Sequence, residues 1–213
     1  MVSTKIVGVL AVIAVITSIF SIGLVYMSTR NLFSVISGYA TSTGEANLTV
    51  ETVVAINFTT SSINWGSGRV TAGASSATLE TTEGAGSVTN GNWTVVSNGL
   101  LIRNIGNVNV SLNLSGTKTA AQMIGGTSPG YKWLINLDTG SGASTCLNAS
   151  GGGVEFSDSY QNVNVTPALN LCAKFGYEDS KDRLLIDFQV VVPSDSFTGA
   201  LGDTVTATAF AAV

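Results

Sequence analysis

Hydrophobic and polar positions follow two different periods along this chain, and the change falls near residue 45. From Ile6 to Tyr26 the sequence IVGVLAVIAVITSIFSIGLVY contains no charged residue. As a helix this stretch rises about 31 Å, close to the ~30 Å hydrocarbon thickness of a bilayer. It predicts one N-terminal transmembrane helix, in which Thr17, Ser18 and Ser21 can bond their hydroxyls back to the helix's own carbonyls. Leu32, Phe33, Val35 and Ile36 carry the apolar character onward until Gly38, a residue suited to ending a helix. The expected organisation is an anchor helix over residues 1–36, a polar linker over 37–45 and a β domain over 46–213.

Beyond the linker, apolar residues recur every second position, the period of a strand with one buried face. Asn47–Phe58 places Leu48, Val50, Val54, Ile56 and Phe58 on one side. Asn107–Ser115 alternates Val108, Val110, Leu112 and Leu114 with Asn and Ser. Tyr131–Asp138, Leu169–Phe175, Arg183–Pro193 and Asp203–Phe210 repeat the pattern, and Pro193 stops its ladder. Trp93–Val96 and Leu100–Arg103 flank Ser97-Asn98-Gly99, which reads as a hairpin turn; a second pairing is expected through Asn104–Asn107. Thr59–Asn92 yields no clear strand, with Trp65 and Leu79 as its candidate core points. The expected fold class is mainly β: eight to ten strands with no second helix, arranged as an antiparallel β-sandwich or jelly roll.

Composition strengthens that reading. Only 10% of the residues are charged, while 24 are Gly and 50 are Ser or Thr, a profile of strands and turns. Beyond Arg30, seven basic residues face thirteen acidic ones, a net charge of −6. No cluster of Lys or Arg is present to neutralise phosphates, so the expected partners exclude nucleic acid.

Cys146 and Cys172 are the only cysteines. In an extracellular setting an even pair is most simply one disulfide, pinning the long loop Thr139–Gly153. The alternation of Leu169–Phe175 puts Cys172 on the outer face, so the bond is expected to lie outside the core. Asn47, Asn57, Asn92, Asn109, Asn113, Asn148 and Asn164 each begin an Asn-x-Ser/Thr site and are the glycosylation candidates. The apolar core of the first segment is longer than that of a cleavable signal, which favours a retained anchor, in contact with membrane lipid over residues 6–26, with the β domain outside the cell.

The chain has no histidine, which removes Ser-His-Asp and Cys-His nucleophile systems and every His-based zinc site. Gly125–Lys132 imitates a phosphate loop but has Tyr131 where the lysine is needed. Glu178, Asp179 and Asp182 crowd the turn Gly176–Arg183, a candidate Ca²⁺ site because hard cations take oxygen ligands; the alternative is a solvated hairpin turn. No other cofactor is indicated. Trp65, between Asn64 and Gly66, is the single candidate ligand contact, by stacking on a sugar.

The short basic start, Lys5-Ile-Val-Gly8, the long apolar helix to about Ser37-Gly38 and the all-β remainder together resemble archaeal type IV pilin or archaellin subunits. In that family the helix packs into a filament core and the β domain coats it. The β domain, with Leu101–Val108 and the closing stretch from Val192-Pro193 to Thr208, is also similar to secreted filament-forming sandwich proteins of the TasA/camelysin type. The resemblance implies self-assembly through the N-terminal helix. The leading expectation is a non-enzymatic, membrane-anchored cell-surface protein that is a pilin-like filament subunit; the alternative is a membrane-tethered carbohydrate- or ligand-binding sandwich.

Overall fold

The structure, a computed structural model, describes residues 4–35, 45–138, 141–142, 145–148, 150 and 159–212. The chain divides into two compact units, residues 1–49 and 50–213. Apart from Glu45, the expected linker lies outside the described residues.

The first unit holds helix α1 (Thr4–Val35). Its 32 residues rise about 48 Å, well beyond the ~30 Å a bilayer requires. The segment Ile6–Met27 is long and apolar enough to cross a membrane, and its side chains are exposed on every side. Thr17 Oγ1 donates to the carbonyls of Ile13 and Ala14 (both 3.0 Å), and Ser21 Oγ to that of Thr17 at 2.8 Å. The polar atoms of these side chains are thereby satisfied within the helix.

The second unit is formed by β1 (Ile56–Thr60), β2 (Ser76–Glu80), β3 (Ser87–Thr89), β4 (Leu100–Asn104), β5 (Val110–Ser115), the one-turn helix α2 (Ala120–Met123), β6 (Gly130–Leu137), β7 (Cys146–Leu147), β8 (Gln161–Asn162), β9 (Leu169–Phe175), β10 (Arg183–Pro193) and β11 (Thr206–Ala211). All pairings are antiparallel. Among the described residues, seven strands including β10 form one sheet, and four form a second in the order β11-β5-β9-β7. Buried residues of both sheets, among them Ile102, Leu112, Trp133, Phe175 and Ile186, form one core cluster, so the unit is a two-sheet sandwich.

The longest strand, β10, organises the larger sheet. Leu184, Ile186, Phe188, Val190 and Val192 point into the core, as their alternation predicts. One edge of β10 pairs with β6 from Leu184 to Val191. The other is shared: β4 takes Arg183–Ile186 and β2 takes Gln189–Pro193. Asp187 falls at the change of partner.

Several local expectations are corrected. The strand expected over Asn47–Phe58 begins only at Ile56, and Leu48 and Val50 are 88% and 72% exposed. Beyond the end of β4, partners for this segment are few. Ile105 N donates to Ala55 O (2.9 Å), and Asn107 binds Val53 and Glu51 through its amide (2.7 and 2.8 Å). The hairpin expected across Asn98-Gly99 does not form, because β4 pairs with β1 and β10. Gly99 serves close packing instead: a Cβ there would lie 2.0 Å from the Ile186 carbonyl oxygen. The unassigned stretch 59–92 contains β2 and β3, and α2 adds a second helix. Its Thr119-x-x-Gln122 capping box was legible in the sequence.

The turns Asn104–Asn107 and Gly176–Arg183 are crossings between the two sheets, not hairpins, since β4 and β10 belong to one sheet and β5 and β9 to the other. Asn104, 2% exposed, secures the first crossing. Its amide donates to Val108 O (2.9 Å) and, across the sandwich, to Phe175 O (3.2 Å), while its oxygen accepts from Gly106 N (3.0 Å). Asn104→Leu leaves one buried and two half-buried backbone groups without this partner and is expected to cost about 2 kcal/mol of stability. Urea unfolding followed by tryptophan fluorescence measures it, and an unchanged midpoint contradicts this role.

Candidate functional site

The disulfide forms between Cys146 and Cys172, with a Cα–Cα distance of 5.2 Å. Its expected place outside the core is corrected. Cys146 is 3% and Cys172 0% exposed, and both belong to the hydrophobic core. The β5–β9 register shifts twice, between Val110 and Leu112 and again between Leu112 and Asn113. A bulge breaks simple alternation, so the adjacent residues Leu171 and Cys172 are both buried. Cys146 lies on the short edge strand β7, paired with Phe175.

The three carboxylates of the proposed cation site are not brought together. Glu178 pairs with Lys181 at 2.6 Å. Asp182 is buried and bound by the Arg103 guanidinium, whose Nε donates to Oδ2 at 2.9 Å. Asp179 is fully exposed, 4.0 Å from Arg103. Arg183 reaches Asp138 at 3.0 Å. Among the described residues no group of three or more Cys, Asp or Glu is placed to hold a metal ion. Lys181 lies beside Glu178 and Arg103 beside Asp182, which turns inward, while Asp179 stays in solvent.

Trp65 is half-buried against the core, and its Nε1 is buried without a hydrogen-bond partner among the described residues. Its carbonyl accepts from Thr94 N at 2.9 Å, and Asn64 Oδ1 accepts from Gly66 N at 2.8 Å, which holds the Gly66 turn at φ +69°. Trp65 thus packs against the core and stays partly exposed. Trp93 lies flat on two glycines: a Cβ at Gly68 or Gly91 would fall 2.4 or 2.7 Å from its ring.

Of the glycosylation candidates, Asn47, Asn57, Asn92, Asn109 and Asn148 are exposed, whereas Asn113 and Asn164 are half-buried. Asn92 Oδ1 accepts from Arg69 N (2.7 Å) and Asn148 Oδ1 from Ser150 N (2.9 Å). Asn113 is on the outer face of β5, as its parity predicts, but sits half-buried between Asn170 and Thr208 on neighbouring strands, with a buried Oδ1.

Two polar arrangements were not foreseen. At the end of the sandwich opposite chain entry, Thr117 and Thr127 each direct a backbone N–H and a hydroxyl at one aspartate. Thr117 binds Asp203, and Thr127 binds Asp195 at 2.9 and 2.8 Å. The Thr127 bonds hold the Asp195 carboxyl below the usual carboxylate range. Burial, reinforced by the Asp203 charge, pushes the Tyr131 hydroxyl up.

The second lies where β10 changes partners. Asp187, 0% exposed, accepts from Thr81 Oγ1 (3.0 Å) and Asn136 Nδ2 (3.2 Å). Thr81 Oγ1 itself accepts from Phe188 N (2.8 Å), and Tyr160 donates to Thr81 O (2.9 Å). Burial raises the Asp187 pKa, while bonds from Thr81, Asn136 and the Gly99 backbone pull it down and Glu83 adds to the rise. Neither arrangement presents a nucleophile with a base. Both join strands and loops distant in sequence.

No family model, no curated protein and no solved structure matches the chain.

Proposed function

We propose that the chain is a non-enzymatic structural protein of the cell surface, anchored by α1 with its sandwich outside, and that copies associate through α1 as pilin-like filament subunits. The observation carrying this reading is the helix: 32 residues, apolar and exposed on every side through Ile6–Met27, and longer than a bilayer crossing needs. A helix apolar all round requires lipid or other apolar helices as neighbours. The buried disulfide agrees with an oxidising exterior. In the sandwich, Asp182, Asp187, Asp195 and Asp203 are spent on holding strands and loops, as suits a structural module.

The test is electron microscopy and sedimentation of the purified full chain alongside a chain lacking residues 1–36. Fibres from the full chain that vanish with the deletion support the reading. A full chain that remains monomeric in detergent and is retained on a glycan column replaces it with the tethered binding module.

A further inference from the structure

The strand edges of the sandwich are guarded unequally. Strands β7 and β8 have two residues each and β3 has three, too short to template another chain. The outermost β1 is interrupted by a register shift between Phe58 and Thr60. Strand β11 is different: six residues in unbroken register with β5, containing no charge, no proline and no glycine. Ala212 N donates to Asn109 O at 3.0 Å, so by antiparallel alternation residues 206, 208, 210 and 212 turn their backbone groups to β5. Ala207, Ala209 and Ala211 turn theirs to the open side, where no described residue meets them. Phe210, on the outer face, is 56% exposed.

We propose that β11 is a homophilic interface, pairing antiparallel with β11 of a second copy about a two-fold axis at Ala209. A two-fold pair needs only one self-complementary edge. Ala209 faces Ala209 of the second copy and Ala207 faces its Ala211, making about six interchain hydrogen bonds. Each Phe210 then lies across from Thr208 of the other copy, at the ~5 Å Cβ spacing of a cross-strand pair. Charge selects the same edge. The chain beyond Arg30 carries −6, so like copies repel, yet residues 204–213 are uncharged and the neighbouring outer face of β5 presents Ser111, Asn113 and Ser115.

The exposed segment 46–50 is the competing occupant of this edge, but the chain just after it is already tied to Asn107. The chain enters the sandwich beside that turn, near the start of β5 and the end of β11. A two-fold pair therefore sets the two entry ends at opposite ends of the joined sheet. The pairing uses no residue of α1 and stands independently of the helix reading.

The test is oxidative cross-linking of the full chain in detergent, carrying Thr208→Cys with Phe210→Cys. The expected result is a reducible band at twice the chain mass. Adding Ala209→Pro removes that band while leaving the urea midpoint in place, because the N–H lost faces away from β5. Sedimentation of the otherwise unaltered chain against Ala209→Pro alone gives a readout free of new cysteines, a dimer reduced to monomer. Three outcomes overturn the proposal: no covalent dimer, a dimer indifferent to Ala209→Pro, which assigns association to α1, or a dimer lost on deleting residues 46–50, which assigns the edge to that segment.

Discussion

Replacing Cys146 and Cys172 together with alanine is expected to cost the sandwich about 4 kcal/mol. The bond closes a separation of 26 residues, worth about 3 kcal/mol of loop entropy in the unfolded chain. Removing two sulfurs from fully packed positions adds roughly 1 kcal/mol of lost contact. Urea unfolding of the full chain in detergent, with tryptophan fluorescence reporting on the core, measures the difference. The same burial predicts an order of events: thiol reductant leaves the native protein oxidised and reduces it only as denaturant opens the core. Reduction in native buffer without loss of structure would contradict a disulfide that is 3% and 0% exposed at its two ends.

Asp187→Ala is expected to be about as severe, near 4 kcal/mol, for a different reason. Thr81, Asn136 and the Gly99 backbone all direct donors at this one carboxyl, and each donor left buried without an acceptor costs roughly 1–3 kcal/mol. The change also strikes where β2 and β4 divide one edge of β10.

The pH dependence has a definite sign. Burial raises the folded pKa of Asp187 above its ordinary value, so the folded state holds this proton more tightly than the unfolded chain does. Its contribution to stability is fully present below about pH 3.9 and is lost as pH rises through the raised value. Asp187→Asn cannot titrate and removes that contribution. Unfolding midpoints of the two proteins taken across the acid range should therefore have a difference that changes with pH, and parallel curves would rule the assignment out. Asp195, held low by Thr127, acts with the opposite sign: its stabilisation is present above the ordinary carboxylate range and fades as pH falls.

What could be read from the residues in order was whatever depends on local period. The run Ile6–Tyr26 specifies a membrane-length apolar helix whatever follows it, because length and the absence of charge are one-dimensional properties. Strict alternation in Arg183–Pro193 identified five residues that β10 buries, and two cysteines allowed one pairing.

Partnership was not legible, since strand neighbours are chosen by long-range complementarity. Asn98-Gly99 carries a hairpin signature, but Gly99 is used to let the chain pass close over Ile186. Leu48 and Val50 have a strand's alternation and no strand beside them, because β4 ends at Asn104. Cys172 has the parity of an outward residue and is buried, because the register with β5 slips on either side of it, while Phe175 beyond the second slip keeps the inward place its parity predicts. Asp187 has the outward parity of an alternating strand and is buried; the chain that covers it arrives from Thr81, Gly99 and Asn136. The sequence alone thus determined an apolar helix of membrane-spanning length, a β class and a cystine. Only the tertiary structure decided which strands adjoin, that the cystine lies in the core, and that the carboxylates of 178–182 are separated by their own counter-ions, because each depends on residues far apart in the chain meeting in space.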